Sequence, residues 1–498
     1  MRKYIFVALT ALMGFSCTLE RQNYNEITPD GFFQTETDLQ LAVNALYYDF
    51  QPGLWAYDSF LGGLYEADDK GIQVFSDCMT DVLWCNWGWS WDNLYYHQWT
   101  NNDGSIDSQC WYFFARYNYL SKARNTIRRI EGSDLPDDVK SAYIGEAEAL
   151  RGWMALSLYD LFGPVPVASD EVLDAPETFV YLPRLTDAEY DQMMETDLLD
   201  AIERLPEMPA QRGRLAKGAA RMILLKYYMI RGFYEKAEPL ARELCAMDYS
   251  LQSDYAYVFS KAGIGNSEII LCLPCAAGSD CAVNYLVAEC LPTDYPWAEK
   301  ATGWGGYIMP WDFYDTYEAG DKRLETLKDS YVNNLGQTVK REDMKGAVIC
   351  KYGLDPDMMD GACYIDVVVY RYADALLLLA ECINRNNGAP TAEAVELVNQ
   401  VRARAGLAPL SGSSATTYDG FNEALLLERG HELYLEGFRR QDLIRFGKFV
   451  EYANARIDKV NAESSAGYFN VDDSHNRMYI PNSFIQESKD MIEQNPDY

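Results

Sequence analysis

Two segments of the chain are rich in aromatic side chains with polar neighbours. Residues 83–99 and 294–317 together hold eight of the eleven tryptophans, set among Asn, Asp and Gly. A flat aromatic ring can stack on the apolar C–H face of a sugar, while Asn and Asp bind its hydroxyl groups. Core packing is the alternative for any single ring, but we expect at least two of the eight tryptophans to line a binding site. The candidate ligand-binding residues are Trp84, Trp87, Trp89, Trp91, Trp297, Trp304, Tyr307 and Trp311.

Three carboxylates recur every four residues and could suggest glycoside hydrolysis. Glu428, Glu432 and Glu436 would stack along one face of a helix. A hydrolase needs one carboxyl group with a raised pKa, and nearby guanidinium groups lower it instead. We therefore predict ion pairs of the scaffold, with partners in the same block: Arg429, Arg439, Arg440 and Arg445.

No other catalytic or cofactor motif is present. The sequence lacks a G-x-S-x-G elbow, an H-E-x-x-H pair and a P-loop. Gly303, Gly305 and Gly306 indicate a turn beside Trp304, and His431 a structural hydrogen bond. Acidic clusters at 66–69 and 355–360 lack the spacing of a calcium-binding EF-hand, so we expect solvated loops there. No cofactor is predicted, and structural calcium is left open.

The cysteines favour thiols or a local disulfide over a metal. Of the twelve cysteines, Cys272, Cys275, Cys281 and Cys290 lie close enough in sequence to pair. Only one C-x-x-C is present, and no histidine lies near it, which argues against zinc.

The elements that must position these side chains are mostly helical after residue 110. Apolar periodicity predicts helices that follow one another in pairs, and the GPVP sequence at 163–166 should end one of them. Thr391 should cap a helix that Gly406 closes. The predicted helices span 111–130, 139–162, 187–205, 215–231, 234–247, 369–385, 391–405 and 421–436.

The first residues indicate export and a lipid anchor. The apolar run at 4–13 is too short to span a bilayer and has the layout of a secretory signal. Ser16 precedes Cys17, as lipoprotein processing requires, so 1–16 is a predicted signal peptide and Cys17 a predicted lipidation site. An ordinary cleaved signal is the alternative.

Charge excludes one class of partner. The chain carries 43 basic and 75 acidic side chains, a formal charge of −32. Such a charge repels the phosphate backbone, so no nucleic acid is expected as a partner.

Blocks spread along the whole chain resemble the SusD/RagB family of nutrient-binding lipoproteins. Examples are TPDGFFQTETDLQLAVNALY near the start and ERGHELYLEGFRRQDLIRFGKF near the end. In family order, the matching blocks are 28–47, 148–167, 181–206, 213–237, 370–381, 398–407, 428–449 and 479–498.

The resemblance implies a mostly α fold, built from helix pairs like those of tetratricopeptide repeats. One SusD-like domain would span 17–498, with its scaffold mainly at 28–50, 111–250 and 369–498. A loop-rich region, mainly 51–110 and 251–368, would carry the ligand site.

The resemblance also implies a role without catalysis. The chain would be lipid-anchored in the outer membrane, facing the exterior, although only Glu20 remains of the acidic export signal expected after Cys17. It would bind an oligosaccharide or polysaccharide and deliver it to a SusC-like TonB-dependent transporter. The alternatives are a peptide-binding importer subunit like RagB and an extracellular glycoside hydrolase.

Overall fold

Helices make up most of the chain. The computed structural model describes residues 32–53, 63–66, 71–88, 90–100, 106–278, 281–296, 302–496 and 498. The predicted signal peptide and Cys17 lie outside these residues. The α-helices of the first half are α1 Glu36–Tyr47, α2 Ile72–Phe75, α3 Ser90–Tyr95, α4 Asp107–Phe114, α5 Asn118–Glu131, α6 Asp137–Phe162, α7 Asp170–Leu173, α8 Asp187–Arg204, α9 Lys217–Arg231 and α10 Tyr234–Cys245.

The second half adds helices and short strands. Its helices are α11 Tyr255–Val258, α12 Leu286–Cys290, α13 Trp311–Tyr314, α14 Tyr372–Asn387, α15 Ala392–Arg404, α16 Ser413–Thr416, α17 Tyr418–Leu433, α18 Arg439–Arg445, α19 Phe449–Glu463 and α20 Asn482–Glu487. The strands of the whole chain are β1 Pro52–Gly53, β2 Tyr65–Glu66, β3 Trp84–Cys85, β4 Ile269–Leu273, β5 Tyr307–Pro310, β6 Leu327–Lys328, β7 Tyr331–Val332, β8 Thr338–Val339, β9 Gly346–Ile349 and β10 Val367–Arg371.

The longer helices pack in successive pairs. Helix α6 packs against α5 and α8, α9 against α8 and α10, and α14 against α10 and α15. The predicted fold class, a mostly α scaffold of helix pairs like those of tetratricopeptide repeats, is confirmed.

Helix α6 forms the centre of this scaffold because it is buried from Ile144 to its end. A helix surrounded by others carries apolar residues on all sides. Gly152 lets α8 approach closely: a Cβ there would lie 2.7 Å from Leu198 Cδ2. The helix ends before Gly163, whose φ of +75° suits glycine. The predicted stop at the GPVP sequence is therefore confirmed.

Two predicted helices differ from the helices in the structure. The helix predicted at 111–130 is interrupted, because a 3₁₀ turn at Ala115–Tyr117 separates α4 from α5. The segment predicted as helix from 369 starts as β10, because the β-branched run Val367, Val368 and Val369 pairs with β4 before α14 begins. Thr391 does cap α15, accepting a hydrogen bond from the Ala394 amide at 3.2 Å.

The strands form small sheets around the predicted ligand region. The largest has the order β3-β5-β9-β6 with antiparallel neighbours. Strand β10 pairs with β4, and β7 with β8 forms a hairpin. Both aromatic segments, predicted as structured loops, contribute a strand to the largest sheet.

None of the eleven cysteines within the described residues forms a disulfide. The disulfide considered for residues 272–290 is therefore absent from the described part, and no cluster of metal-ligating side chains occurs there. Within the same residues, no helix is long and apolar enough to cross a membrane.

Candidate functional site

The two aromatic segments, more than 200 residues apart in sequence, meet as neighbouring strands. In the antiparallel pair of β3 and β5, Trp84 lies opposite Ile308. Asn86 extends the pairing, because its backbone amide donates to the Gly306 carbonyl at 2.9 Å. Its side-chain amide donates to the Gly305 carbonyl at 3.0 Å. These bonds hold the ends of the two segments side by side.

Among the described residues of the two segments, Trp87 presents the most exposed ring. Its side chain is 40% exposed, and its indole N–H donates to the Trp304 carbonyl at 3.2 Å. Gly306 supports the ring, since a Cβ at that position would lie 2.7 Å from Trp87 Cζ2. The ring is fixed in orientation, yet one side remains open to solvent.

Trp304 is half-buried and stacks on Tyr285. The two ring centroids lie 5.3 Å apart, with 21° between the ring planes. Gly361 lets the chain approach the indole, because a Cβ there would lie 2.8 Å from Trp304 Cζ2. Trp87, Trp304 and Tyr285 are called the aromatic platform below. Tyr285 lies outside both aromatic segments, and nothing in the sequence singles it out.

Trp84 forms a second aromatic group next to the platform. It is half-buried, and it stacks on Tyr95 with ring centroids 5.5 Å apart. Its indole N–H donates to Asp92 at 3.2 Å, and Lys345 Nζ lies 5.3 Å from the ring centroid. The charged groups beside this ring can bind hydroxyl groups of a ligand.

The remaining candidate residues that the structure describes expose less ring surface to a ligand than Trp87 does. Tyr307 is fully buried and Trp91 is 9% exposed, so these rings pack in the core and present no face to a ligand. Trp311 is half-buried, and the Arg341 guanidinium lies 4.2 Å from its ring centroid. Trp89 and Trp297 lie outside the described residues.

Glu428 and Glu432 of α17 form buried ion pairs. Arg323 binds Glu428 at 2.6 Å, and Arg371 and Arg404 both bind Glu432. Burial alone would raise the pKa of Glu432, but the guanidinium groups of Arg404, Arg371 and Arg323 hold it well below its usual range. Glu432 is therefore an ionised part of the scaffold, and Glu428 is likewise paired within it, as predicted.

Their predicted arginine partners were wrong. Glu436 pairs with Arg371 and Lys351, which lie outside residues 428–449. The arginines of residues 428–449 bind other acids. Arg429 binds Asp374 and Asp442, Arg439 binds Asp81, Arg440 binds Asp160, and Arg445 binds Glu381 and Asp442. Spacing along one helix could not reveal partners supplied by other elements.

Two smaller predictions have different outcomes. The His431 ring shares a hydrogen bond of 2.8 Å with the Thr316 hydroxyl, which is the structural role predicted. Asp355 is not part of a solvated loop: it is 1% exposed and bonds to Lys261 Nζ at 2.7 Å. The Lys261 ammonium group therefore supplies the positive charge that pairs with the buried Asp355 carboxylate.

Sequence comparisons identify relatives along the whole chain. The SusD family model matches residues 355–498. SusD-like protein P2 from Formosa agariphila is 24% identical over 534 residues, covering 100% of both chains. Starch-binding protein SusD from Bacteroides thetaiotaomicron is 32% identical over 136 residues, 27% of this chain and 22% of that protein.

Solved structures share the fold. A SusD homologue from Bacteroides thetaiotaomicron superposes with a TM-score of 0.76 at 19% identity, covering 95% of this chain and 99% of that one. Surface glycan-binding protein A from the same organism, in complex with laminarihexaose, gives 0.72 at 22% identity, with 92% and 99% covered. A laminarin-binding SusD-like protein gives 0.70 at 21%, with 93% and 100% covered. The family match over residues 355–498, the full-length likeness in sequence and the common fold together support a SusD-like family.

Proposed function

We propose that this chain captures glycans at the cell surface and delivers them to a SusC-like TonB-dependent transporter. The aromatic platform would hold the sugar, with Trp87 as its main contact. A ring face of about 100 Å² contributes roughly 2.5 kcal/mol when covered. Against the free energy lost on association, two or three rings give weak binding, which suits a protein that must release its ligand.

The exposed Trp87 ring beside the Trp304–Tyr285 stack carries this proposal. Its indole is hydrogen-bonded to Trp304 and supported by Gly306, so the ring is positioned before a ligand arrives. Ordering the ring in advance lowers the entropy lost on binding. Structures of the same fold include a surface glycan-binding protein with laminarihexaose and a laminarin-binding protein, which supports a glycan as ligand.

Binding without bond cleavage is part of the proposal. A glycoside hydrolase needs a carboxyl group that carries a proton at neutral pH. The Glu432 carboxylate is held ionised by three arginines, which is the opposite of what an acid catalyst requires. We expect no new reducing ends when the purified protein is incubated with a glycan that it binds.

The test is affinity electrophoresis against a panel of polysaccharides that includes laminarin and starch. The wild-type chain should be retarded by at least one of them, and Trp87→Ala should lose most of that retardation. Phe179→Ala is the matched control, because Phe179 is 78% exposed and lies in the loop between α7 and α8, away from both aromatic segments. Equal retardation of wild type and Trp87→Ala would refute the site, and binding of peptides alone would refute a glycan ligand.

The anchor and the transporter need a separate experiment. Lipidated Cys17 would hold the protein at the outer membrane, so Cys17→Ala should shift it to the soluble fraction. A transporter barrel should co-purify with the wild-type protein after mild detergent extraction. Unchanged membrane association of Cys17→Ala would refute the lipid anchor.

A further inference from the structure

A cavity of about 480 Å³ lies at the other end of the strands that carry the aromatic platform. Its lining includes Tyr95 at the end of α3, Pro310 at the end of β5, and side chains of α17 and α19. This volume is within the range of small-ligand sites.

The cavity adjoins the second aromatic group, because Tyr95 belongs to both. Pro310 lies six positions after Trp304, at most about 22 Å along the chain. Trp84 lies between these two points, and it stacks on Tyr95, which lines the cavity. The half-buried Trp84 and the buried Tyr95 therefore connect the platform to the cavity.

The floor and walls of the cavity combine the groups that bind sugars. Tyr95, Phe313 and Leu426 supply apolar surface. On one wall, Arg439 binds Asp81 through two hydrogen bonds of 2.8 and 2.7 Å. Side chains of this kind offer donors and acceptors beside an apolar surface, which matches the C–H face and hydroxyl groups of a sugar.

A second ion pair also lines the cavity. Lys459 Nζ donates to both carboxylate oxygens of Asp312, at 2.8 and 2.6 Å. Both side chains are at least half exposed, so a ligand can reach them.

Arg456 adds a guanidinium group whose Nε and Nη1 atoms are buried. It lies 4.9 Å from the Tyr95 ring centroid, and its Nη2 donates to the carbonyls of Met79 and Tyr95. Its Nε and Nη1 have no hydrogen-bond partner among the described residues. The charged lining as a whole is nearly balanced, with Asp81, Asp312 and Glu423 against Arg439, Lys448, Arg456 and Lys459. A balanced lining suits an uncharged ligand better than a polyanion.

We propose that this cavity is a second saccharide subsite, which binds a more distant part of the glycan chain held by the aromatic platform. The inference rests on the proposed function and extends it: the protein recognises long, uncharged glycan chains rather than single chain ends. Two contacts on one chain act together, so affinity rises with chain length until both are filled.

The test is calorimetric titration with a ladder of neutral oligosaccharides of increasing length, prepared from the polysaccharide that retards the wild-type protein. The cavity variant is Ala455→Trp, because Ala455 is exposed on α19 and lines the cavity. The matched control is Ala462→Trp, exposed on the same helix and not among the lining residues. A second cavity variant, Asp312→Asn, removes the charge from one wall without adding bulk.

Affinity of the wild type should rise roughly tenfold between short and long chains, which corresponds to about 1.4 kcal/mol. Ala455→Trp and Asp312→Asn should weaken binding of the long chains only, whereas Trp87→Ala should weaken binding at every length. Unchanged long-chain affinity in both cavity variants would overturn the subsite and leave the proposed function intact. Failure of wild type to bind any glycan would overturn both, as would a ladder of oligopeptides binding in place of the sugars.

Discussion

Gly306 lies directly beneath the Trp87 indole, at the end of the pairing between the two aromatic segments. A Cβ at this position would lie 2.7 Å from Trp87 Cζ2, closer than carbon atoms can approach without displacement. We expect Gly306→Ala to tilt the ring and weaken glycan binding about fivefold to tenfold, or roughly 1 kcal/mol. Calorimetric titration measures this loss. Gly353→Ala is the control, because its Cβ would meet nothing closer than 3.6 Å. Equal affinity of both variants would contradict the role of Gly306.

Glu148 makes the stability of the scaffold depend on pH. Burial, together with the nearby carboxylates of Asp200 and Asp197, raises the pKa of Glu148 to about 9, and Arg204 offsets only part of this rise. Arg204 Nε lies 3.9 Å from Glu148 but 2.7 Å from Asp200, which explains its small effect. Because the folded-state pKa lies above the unfolded value, the folded state binds the proton more tightly. Its stability therefore falls as pH rises from about 4.5 to about 9.

The variant Glu148→Gln imitates the protonated side chain. It should raise the free energy of unfolding by roughly 2 kcal/mol at about pH 8 and change it little at about pH 5. Urea unfolding at the two pH values measures the difference, and the exposed Glu203 on α8 provides a matched Glu→Gln control. A gain of the same size at both pH values would contradict the raised pKa.

At the scale of elements, helix boundaries set by local residues were predicted better than those set by distant partners. Gly163 and Thr391 act through their own backbone and side chain, so their effects on α6 and α15 are visible in the sequence. The start of α14 was missed because Val367–Arg371 pairs with β4, a segment about 100 residues earlier. Pairing partners that distant leave no local signal.

Arg371 joins several elements at the end of β10. Its guanidinium binds Glu268 at 2.8 Å before β4, and it also binds Glu432 of α17 and Glu436 beyond it. Removing one member of a buried ionic network leaves unpaired charges and typically costs 3–5 kcal/mol. We expect Arg371→Met to lower the free energy of unfolding by about that amount in urea titrations.

An exposed ion pair provides the control for this prediction. Lys236, 54% exposed, binds Glu195 across α8 and α10, and Lys236→Ala should change stability by less than about 1 kcal/mol. A similar small change in Arg371→Met would show that the network contributes little to the cohesion of these elements.

At the scale of the whole molecule, the sequence indicated the two segments of the candidate site but not which of their rings are exposed. Aromatic composition indicated both segments, and the pairing of β3 with β5 brings their ends together. Composition could not separate exposed Trp87 from buried Trp91, because exposure depends on what packs against each ring. Tyr285 was missed for the same reason, since its place in the platform comes from stacking on Trp304.

The formal charge of −32 should make the protein discriminate between neutral and anionic glycans. Stacking and hydrogen bonds to uncharged hydroxyl groups release no counterions, so affinity for a neutral glycan should change less than about twofold between about 20 mM and about 500 mM NaCl. A sulfated form of the same polymer meets long-range repulsion, which salt screens. It should bind more weakly at low salt and approach the neutral polymer as salt rises. Titration of both forms across the salt series measures this, and tighter binding of the sulfated form at low salt would show that local cations such as Lys345 and Arg456, not the net charge, control recognition.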